Sequence, residues 1–176
     1  MAGSTSLLPS SKPNRAAGAP METLMRNLLK NRTGQIGIPC ILMRGGTSKG
    51  PFFLADDIPS EPKARERVLL AAMGSPDTRQ INGIGGADTL TSKIAIISRS
   101  KHPEAEIDYL FAQCSVDKAV VDFSPNCGNM LAAVGPYAIE TGLIEAQNPT
   151  TRVRIHNINT GAVITATIQT PDGVVN

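Results

Sequence analysis

Residues 124–142 read SPNCGNMLAAVGPYAIETG, and this stretch decides the fold. A turn sequence leads into an apolar run that predicts a helix from about Met130 to Thr141, which Gly142 ends. Apolar side chains occupy nearly every side of this helix, and a helix without a polar face is surrounded by other structure. We therefore predict strands that curl into a sheet or barrel around one central buried helix.

The remainder of the folded region alternates between short apolar runs and turn signals. Fully apolar or period-2 runs predict strands over residues 38–43, 52–54, 94–97, 107–112, 120–123, 153–158 and 162–168. A helix capped by Ser60 is expected to stop at Gly74, and a glycine-rich loop follows over residues 75–88. The predicted fold class is α/β, of the mixed α+β kind, over residues 36–176.

Length and charge limit the classes of function. The 176 residues, 41% of them hydrophobic, suffice for one domain or one large lobe. No apolar run has the length of a membrane span, so we expect no membrane partner. The net charge is only +2 and the aromatic side chains are four Phe and two Tyr. A nucleic-acid partner is therefore not expected, because stacking platforms and strong positive charge are both missing.

The basic residues concentrate in an N-terminal extension. Residues 1–35 hold five basic groups and one acid, whereas the rest holds twelve basic and fourteen acidic groups. Ser, Pro, Ala and Gly dominate residues 1–20, which predicts disorder, and residues 21–29 have the pattern of a short amphipathic helix. This extension is either a disordered or short-helical appendage or a targeting presequence. We predict a cytoplasmic protein, with a mitochondrial location as the alternative.

Cys127 lies at the start of the predicted buried helix, within Asn126-Cys127-Gly128-Asn129. A helix N-terminus favours negative charge, so a thiolate would be stabilised there and could exchange a proton near neutral pH. Gly128 would let a ligand approach the backbone, and the two asparagines could donate hydrogen bonds to carboxylates. In the alternative interpretation, Asn126 is a plain N-cap and Cys127 a small buried filler.

A second glycine-rich segment, MRGGTSKG, covers residues 43–50. Two hydroxyl groups, an arginine and a lysine in one turn are suited to holding a carboxylate or a phosphate. The spacing is not that of a Walker A loop. A tight turn with solvated charges is the alternative.

A third segment reads GIGGADTLTSK at residues 83–93 and runs into an apolar strand. It is not a dinucleotide-binding fingerprint, which would place the glycines between a strand and a helix. Lys93 lies at the start of that strand, where a partly buried lysine can act as an acid or a base. Alternatively its stem covers apolar surface while its ammonium group stays in water.

Other catalytic constellations have little support. His102 lies in a polar stretch and is expected to be exposed, and His156 has no His or Cys at ligand spacing, so we predict no metal site. The acids are dispersed, which disfavours a carboxylate pair for glycoside hydrolysis. No GxSxG setting for a hydrolase nucleophile is present.

Five motifs in one order identify a family resemblance. They are MRGGTSKG at residues 43–50, MGSPD at 73–77, GIGGAD at 83–88 with TSK at 91–93, DYLF at 108–111 and NCGN at 126–129. The combination, over roughly residues 36–175, resembles the PrpF family. That family includes 2-methylaconitate cis-trans isomerase, aconitate isomerase and 4-oxalomesaconate tautomerase. The sequence of residues 83–93 is most similar to that of the oxalomesaconate tautomerases.

The resemblance implies a diaminopimelate-epimerase-like fold of two similar lobes, with the active site between them. It also implies proton transfer on an unsaturated polycarboxylate, without a cofactor or a metal. Lys93 and Cys127 would be the proton-transfer residues. The substrate pocket would be lined by Arg44, Gly45, Gly46, Thr47, Ser48, Gly85, Gly86, Ser92, Asn126, Gly128 and Asn129.

The expected reaction is keto–enol tautomerisation of 4-oxalomesaconate, with isomerisation of 2-methylaconitate or aconitate as the alternative. Family members carry a second lobe that has no counterpart in residues 36–176. We therefore expect the N-terminal lobe alone, either as a fragment or as a truncated product, and a homo-oligomer as one way to complete the cleft. An alternative of another class is a non-catalytic lobe that binds carboxylates or another chain.

Overall fold

The computed structural model describes residues 36–176, and the predictions for residues 1–35 lie outside this part. The compact unit spans Pro39–Asn176. Its strands are β1 (Ile41–Gly45), β2 (Ser48–Leu54), β3 (Lys93–Arg99), β4 (Ile107–Cys114), β5 (Val121–Asp122), β6 (Thr150–Asn157) and β7 (Ala162–Gln169). Its α-helices are α1 (Pro62–Met73), α2 (Gly128–Leu131) and α3 (Val134–Glu140), and short 3-10 turns cover Ala55–Asp57 and Pro171–Gly173.

The strands form one mixed sheet in the order β1-β2-β3-β4-β6-β7, and β5 pairs with β4. The pairs β2/β3 and β4/β6 are parallel, and the other pairs are antiparallel. Alternate strand residues point to opposite faces, and one face packs against α2 and α3. The core on that face includes Phe52, Ala95, Ile97, Ile107, Tyr109, Phe111, Met130, Val134, Tyr137, Ala138, Val153 and Ile155. The predicted α+β lobe with a buried helical segment is confirmed.

The buried helical segment is in two pieces, which corrects the prediction of one helix over residues 130–141. α2 ends at Leu131 and α3 begins at Val134. Pro136 gives the physical reason, because it has no N–H to donate to the carbonyl of Ala132 and can only lie near the start of a new helix. The segment is also not enclosed on all sides, since Ala132 is exposed.

The predicted cap of the first helix also needs correction. Glu61, not Ser60, caps α1, because its carboxylate accepts hydrogen bonds from the amides of Lys63 (2.9 Å) and Ala64 (2.6 Å). The predicted stop at Gly74 is confirmed, with φ at +79°.

The glycine-rich segment at residues 43–50 is a β-hairpin rather than a loop between strands. β1 begins at Ile41, not at residue 38, and β2 already begins at Ser48. Gly45 pairs with Ser48 across the turn, and Gly46 has φ of +50°, a conformation that favours glycine. The hairpin places the hydroxyl and basic side chains of this segment at one end of the sheet.

The remaining segments agree closely with the sequence pattern. No strand or α-helix interrupts residues 75–92, which include the loop predicted over residues 75–88. The late hairpin is confirmed as β6 and β7, with the turn at residues 158–161. Within residues 36–176 no helix is long and apolar enough to cross a bilayer.

Candidate active site

Cys127 is the residue from which the site is built, and it lies between β5 and α2. Only 8% of the residue is exposed, and its Sγ lies 3.8 Å from the Oγ of Ser48. Its main-chain carbonyl accepts a hydrogen bond from the hydroxyl of Tyr109 at 3.1 Å. Burial raises the pKa of Tyr109 well above its usual value, so this hydroxyl remains a donor. The short α2 offers a weaker dipole to the thiol than the long helix predicted from the sequence.

Lys93 is the first residue of β3 and is half-buried. Its Nζ donates a hydrogen bond to the Oε1 of Gln113 at 2.9 Å, and lies 5.1 Å from the centre of the Phe111 ring. The ammonium group therefore has specific partners in the fold and is more than a solvated end of the side chain.

Cys127 and Lys93 lie on the same face of the sheet. Lys93 shares its face of β3 with the core residues Ala95 and Ile97. On neighbouring β2, Ser48 shares its face with Phe52, and Phe52 pairs with Ala95 in the parallel register. Because Ser48 contacts Cys127, the thiol and the ammonium group lie over adjacent strands, on the face that carries α2.

Gly50 allows the Lys93 segment of β3 and the helix α2 to approach β2 closely. A Cβ atom at this position would overlap the carbonyl oxygen of Lys93 and would lie 3.3 Å from the Cε of Met130, in α2. Only a residue without a side chain lets β3 and α2 approach β2 together here. The glycine thus helps to bring the Lys93 and Cys127 segments together.

The β1–β2 hairpin contacts the segment around Cys127 directly. A Cβ atom on Gly45 would overlap the carbonyl oxygen of Asn129, and one on Gly46 would overlap its side chain. The Nδ2 of Asn129 donates to the Oγ1 of Thr47 at 3.0 Å. Arg44 is exposed, and its Nη1 donates to the carbonyl of Thr47 at 3.4 Å. The structure therefore brings the first two glycine-rich segments of the sequence together.

Exposed polar groups surround the buried thiol. Asn126 accepts a hydrogen bond at its Oδ1 from the Nδ2 of Asn157, at 2.7 Å. Gly128 is exposed, and a Cβ atom added there would meet nothing within 4 Å. Thr47 and Asn129 are exposed as well. This open surface beside Cys127 is where a small anion could be bound.

The third glycine-rich segment is organised by Gln80, which is almost completely buried. The Oε1 of Gln80 accepts from the amide of Ala87 (2.8 Å) and from the hydroxyl of Ser92 (3.0 Å). A Cβ atom on Gly85 would overlap the Gln80 side-chain amide, and one on Gly86 would overlap Thr91. These contacts shape the loop that leads into Lys93. A substrate contact for Gly85, Gly86 or Ser92 stays a prediction, and in this structure the Ser92 side chain is fully buried.

The sequence did not single out Gln80, Gln113 or Asn157, although all three contact predicted site residues. A signal for Gln113 was present, because the alternation of Tyr109 and Phe111 continues to residue 113 on the core face of β4. Gln80 and Asn157 carry no such local signal. Their contacts depend on how distant segments fold together.

His102 differs from the prediction that it is exposed. His102 is partly buried and stacks on His156, with ring centres 4.9 Å apart. His156 Nδ1 lies 3.0 Å from the Oδ1 of Asp108, which also accepts from Ser100 at 2.6 Å. Within residues 36–176 no three His, Cys, Asp or Glu side chains are grouped so that they could hold a metal ion.

The chain is similar to known proteins over most of its length. The chain is 60% identical over 142 residues to 4-oxalomesaconate tautomerase of Pseudomonas putida. This match covers 81% of this chain and 39% of that protein. A crystal structure of methylitaconate-delta-isomerase is 52% identical and covers 78% of this chain and 36% of that one, with a TM-score of 0.77. The chain thus spans about two-fifths of the length of the curated relatives that it matches.

The fold extends to more distant proteins. The crystal structure of a probable proline racemase from Agrobacterium radiobacter is 17% identical, with a TM-score of 0.53, and covers 79% of this chain and 39% of that one. This likeness concerns the fold alone, and it confirms the predicted diaminopimelate-epimerase-like lobe. The family described as PrpF protein matches residues 35–176. This chain therefore belongs to the PrpF family.

Proposed function

We propose that this chain supplies the Cys127 and Lys93 side of an active site that moves a proton on a small unsaturated polycarboxylate, without a cofactor. The observation that carries the proposal is the placement of the thiol and the ammonium group over adjacent strands, on one face of the sheet. The names of the relatives, a tautomerase and an isomerase of such acids, support this class of reaction.

The chemistry needs two groups that can each hold a proton. One member of the Cys127/Lys93 pair removes a proton from the carbon next to a carboxylate, which leaves a dienolate-like anion. Arg44 and the main-chain amides that follow Cys127 stabilise the negative charge. The other member returns a proton to a different carbon or to oxygen, so that the double bond moves or the keto and enol forms interconvert.

The substrate that we propose is 4-oxalomesaconate, with 2-methylaconitate or aconitate as the alternative. The exposed donors beside Cys127 suit carboxylate groups, because Arg44 can bind a carboxylate with two hydrogen bonds and amide nitrogens can donate to one. Arg44, Thr47, Asn126 and Asn129 are therefore the substrate-binding residues in this proposal.

Protection of the Cys127 thiol from alkylation tests whether the substrate binds beside it, without requiring turnover. In a Cys40→Ser background, which removes the exposed thiol, alkylation of Cys127 by iodoacetamide is followed by mass spectrometry. We expect 4-oxalomesaconate to slow alkylation of Cys127, whereas succinate, a saturated dicarboxylate, has a smaller effect. Equal alkylation rates with and without each of the unsaturated acids would contradict the assignment of the site.

Turnover measurements test the proposed proton-transfer roles of Cys127 and Lys93. The change in absorbance of the conjugated substrate is followed over a range of protein concentrations, because a second copy would complete a cleft only at high concentration. We expect Cys127→Ala and Lys93→Met each to lower the rate at least about 100-fold with the fold intact. An unchanged rate in either variant would refute the role of that residue and with it the proposed function. Binding without turnover at every concentration would favour the second candidate, a carboxylate-binding lobe.

A further inference from the structure

Gln113 has a single possible orientation of its side-chain amide. Its Nε2 lies 2.9 Å from the carbonyl oxygen of Ser92, 3.2 Å from that of Thr89 and 3.3 Å from that of Cys114. Carbonyl oxygens only accept hydrogen bonds, so the nitrogen must face them. The ammonium group of Lys93 only donates, so the oxygen must face Lys93, 2.9 Å away. The two requirements agree. A reversed amide would lose both the hydrogen bonds to the carbonyl oxygens and the hydrogen bond from Lys93.

The same side chain connects Lys93 to the loop that precedes it. Thr89 and Ser92 belong to the last turn of the third glycine-rich segment, immediately before Lys93. β3 and β4 are antiparallel here, and Lys93 is paired with Gln113 in their register. Gln113 thus holds the backbone on one side of Lys93 and the ammonium group at the end of its side chain.

The partner of Lys93 is neutral. Within residues 36–176, the salt bridges join Arg79 to Asp77, Arg154 to Glu106 and His156 to Asp108, and none includes Lys93. A carboxylate in place of the Gln113 amide would strongly stabilise the ammonium form of Lys93. Loss of a proton from Lys93 would then be harder. The neutral amide of Gln113 also positions the Lys93 ammonium group, but it opposes the loss of a proton from that group much less than a carboxylate would.

We propose that Gln113 is a positioning residue: it aims the Lys93 ammonium group and, because it is neutral, leaves that group able to release and regain a proton. The inference rests on the proposed function for its role in turnover, since it acts through Lys93 and does not itself touch the reacting atoms. Its structural part, the control of Lys93 by Gln113, can be tested without substrate.

The test measures the titration of Lys93 by NMR, in the whole 176-residue chain that carries lysine labelled with carbon-13 at Cε. The Lys93 signal is assigned by its absence in Lys93→Arg. In Gln113→Glu we expect the titration midpoint to rise by at least about one pH unit, as an opposite charge at hydrogen-bond distance produces. In Gln113→Leu we expect it to fall, because the ammonium form loses an acceptor.

Gln169→Glu is the matched control. Gln169 is exposed on β7, and the strand order places β7 three strands, about 14 Å, from β3. The same added charge there is largely screened at physiological salt and should leave the Lys93 midpoint unchanged. Identical midpoints in the wild type, Gln113→Glu and Gln113→Leu would overturn the proposal, as would an equal shift in Gln169→Glu.

The wild-type protein provides a second measurement that needs no folded variant. Because the Oε1 of Gln113 accepts from Lys93, the side-chain amide signals of Gln113 should shift with the same midpoint as the Lys93 Cε signal. Unrelated midpoints would overturn the proposal. Neither measurement depends on turnover, so a positive result together with an active Lys93→Met variant would refute the proposed function while leaving the positioning role established.

Discussion

The Oγ of Ser48 lies 3.8 Å from the Sγ of Cys127, although 79 positions separate the two residues in the chain. Ser48 is completely buried and begins β2, and Cys127 directly precedes α2. The contact joins the β1–β2 hairpin to the segment that carries the candidate catalytic thiol.

Ser48→Ala should slow the alkylation of Cys127. A thiolate sulfur can only accept hydrogen bonds, so in that state the Ser48 hydroxyl must donate to it and stabilise the reactive form. Loss of one weak, charge-assisted hydrogen bond should lower the rate about fivefold at pH 7. The rate constant with iodoacetamide is measured in a Cys40→Ser background, and Ser60→Ala, at an exposed position, is the control. An unchanged or faster reaction in Ser48→Ala would show that the hydroxyl does not support the thiolate.

Gly45→Ala and Gly128→Ala should separate a structural glycine from one that faces a ligand. At Gly45 a methyl group would overlap the carbonyl oxygen of Asn129, so we expect a loss of about 1–3 kcal/mol in the free energy of unfolding. At Gly128 a methyl group meets no atom within 4 Å, and stability should stay within about 0.5 kcal/mol of the wild type.

Urea unfolding, followed by circular dichroism, measures both glycine variants. Gly128→Ala should nevertheless weaken the protection of Cys127 by an unsaturated tricarboxylate, because the proposed function places the ligand against the exposed backbone at Gly128. A destabilised Gly128→Ala would contradict the open space at this position, and a stable variant that is protected as well as the wild type would contradict the placement of the ligand.

Tyr109→Phe should destabilise the protein more than Tyr137→Phe. Both rings are buried in the core, but the Tyr109 hydroxyl donates to the Cys127 carbonyl. Its removal leaves that carbonyl with the amide of Leu131 as a donor, at 3.1 Å, so the loss should be about 0.5–1.5 kcal/mol. The Tyr137 ring packs against Phe52, with ring centres 5.5 Å apart, and a phenylalanine at position 137 keeps this contact, so the loss there should be smaller. Equal losses in thermal and urea unfolding would mean that the Tyr109 hydrogen bond contributes nothing.

Stability should fall as the pH rises above about 10, the usual pKa of tyrosine. Burial raises the pKa of Tyr137 to about 12 and that of Tyr109 further. Above pH 10 the unfolded chain therefore releases tyrosine protons that the folded chain keeps, and the free energy of unfolding decreases with pH. This contribution is fully present below pH 10 and is lost as the pH approaches the folded-state values.

Two measurements check this alkaline dependence. The free energy of unfolding in urea is determined between pH 8 and 11, and tyrosinate absorbance is followed in the folded protein. The double variant Tyr109→Phe and Tyr137→Phe should lose the tyrosine part of the pH dependence. Tyrosinate absorbance that rises near pH 10 in the folded wild type would contradict the burial argument.

Much of the architecture could be predicted, because strand and helix signals are local. The alternation of Ile107, Tyr109 and Phe111 predicted β4, and the turn residues near Gly161 predicted the β6–β7 hairpin. The break between α2 and α3 was also encoded locally, in Pro136. That signal was outweighed by the continuous apolar run around it.

The candidate site was predictable only in part. Cys127 and Lys93 could be identified because each stands at a junction between a glycine-rich segment and a regular element. The roles of the surrounding residues could not be read in this way. Ser92, predicted to contact a substrate, is buried against Gln80. This contact depends on the path of an irregular loop, for which side-chain periodicity gives no information.

The sequence by itself determined which segments become strands and helices and which residue types can carry proton transfer. Only the tertiary structure decided that Ser48 lies beside Cys127 and that Lys93 has the neutral Gln113 as its partner. The physical reason is that periodicity is a property of neighbouring residues. The register between strands and the packing of a helix on one face depend instead on contacts between residues far apart in the chain.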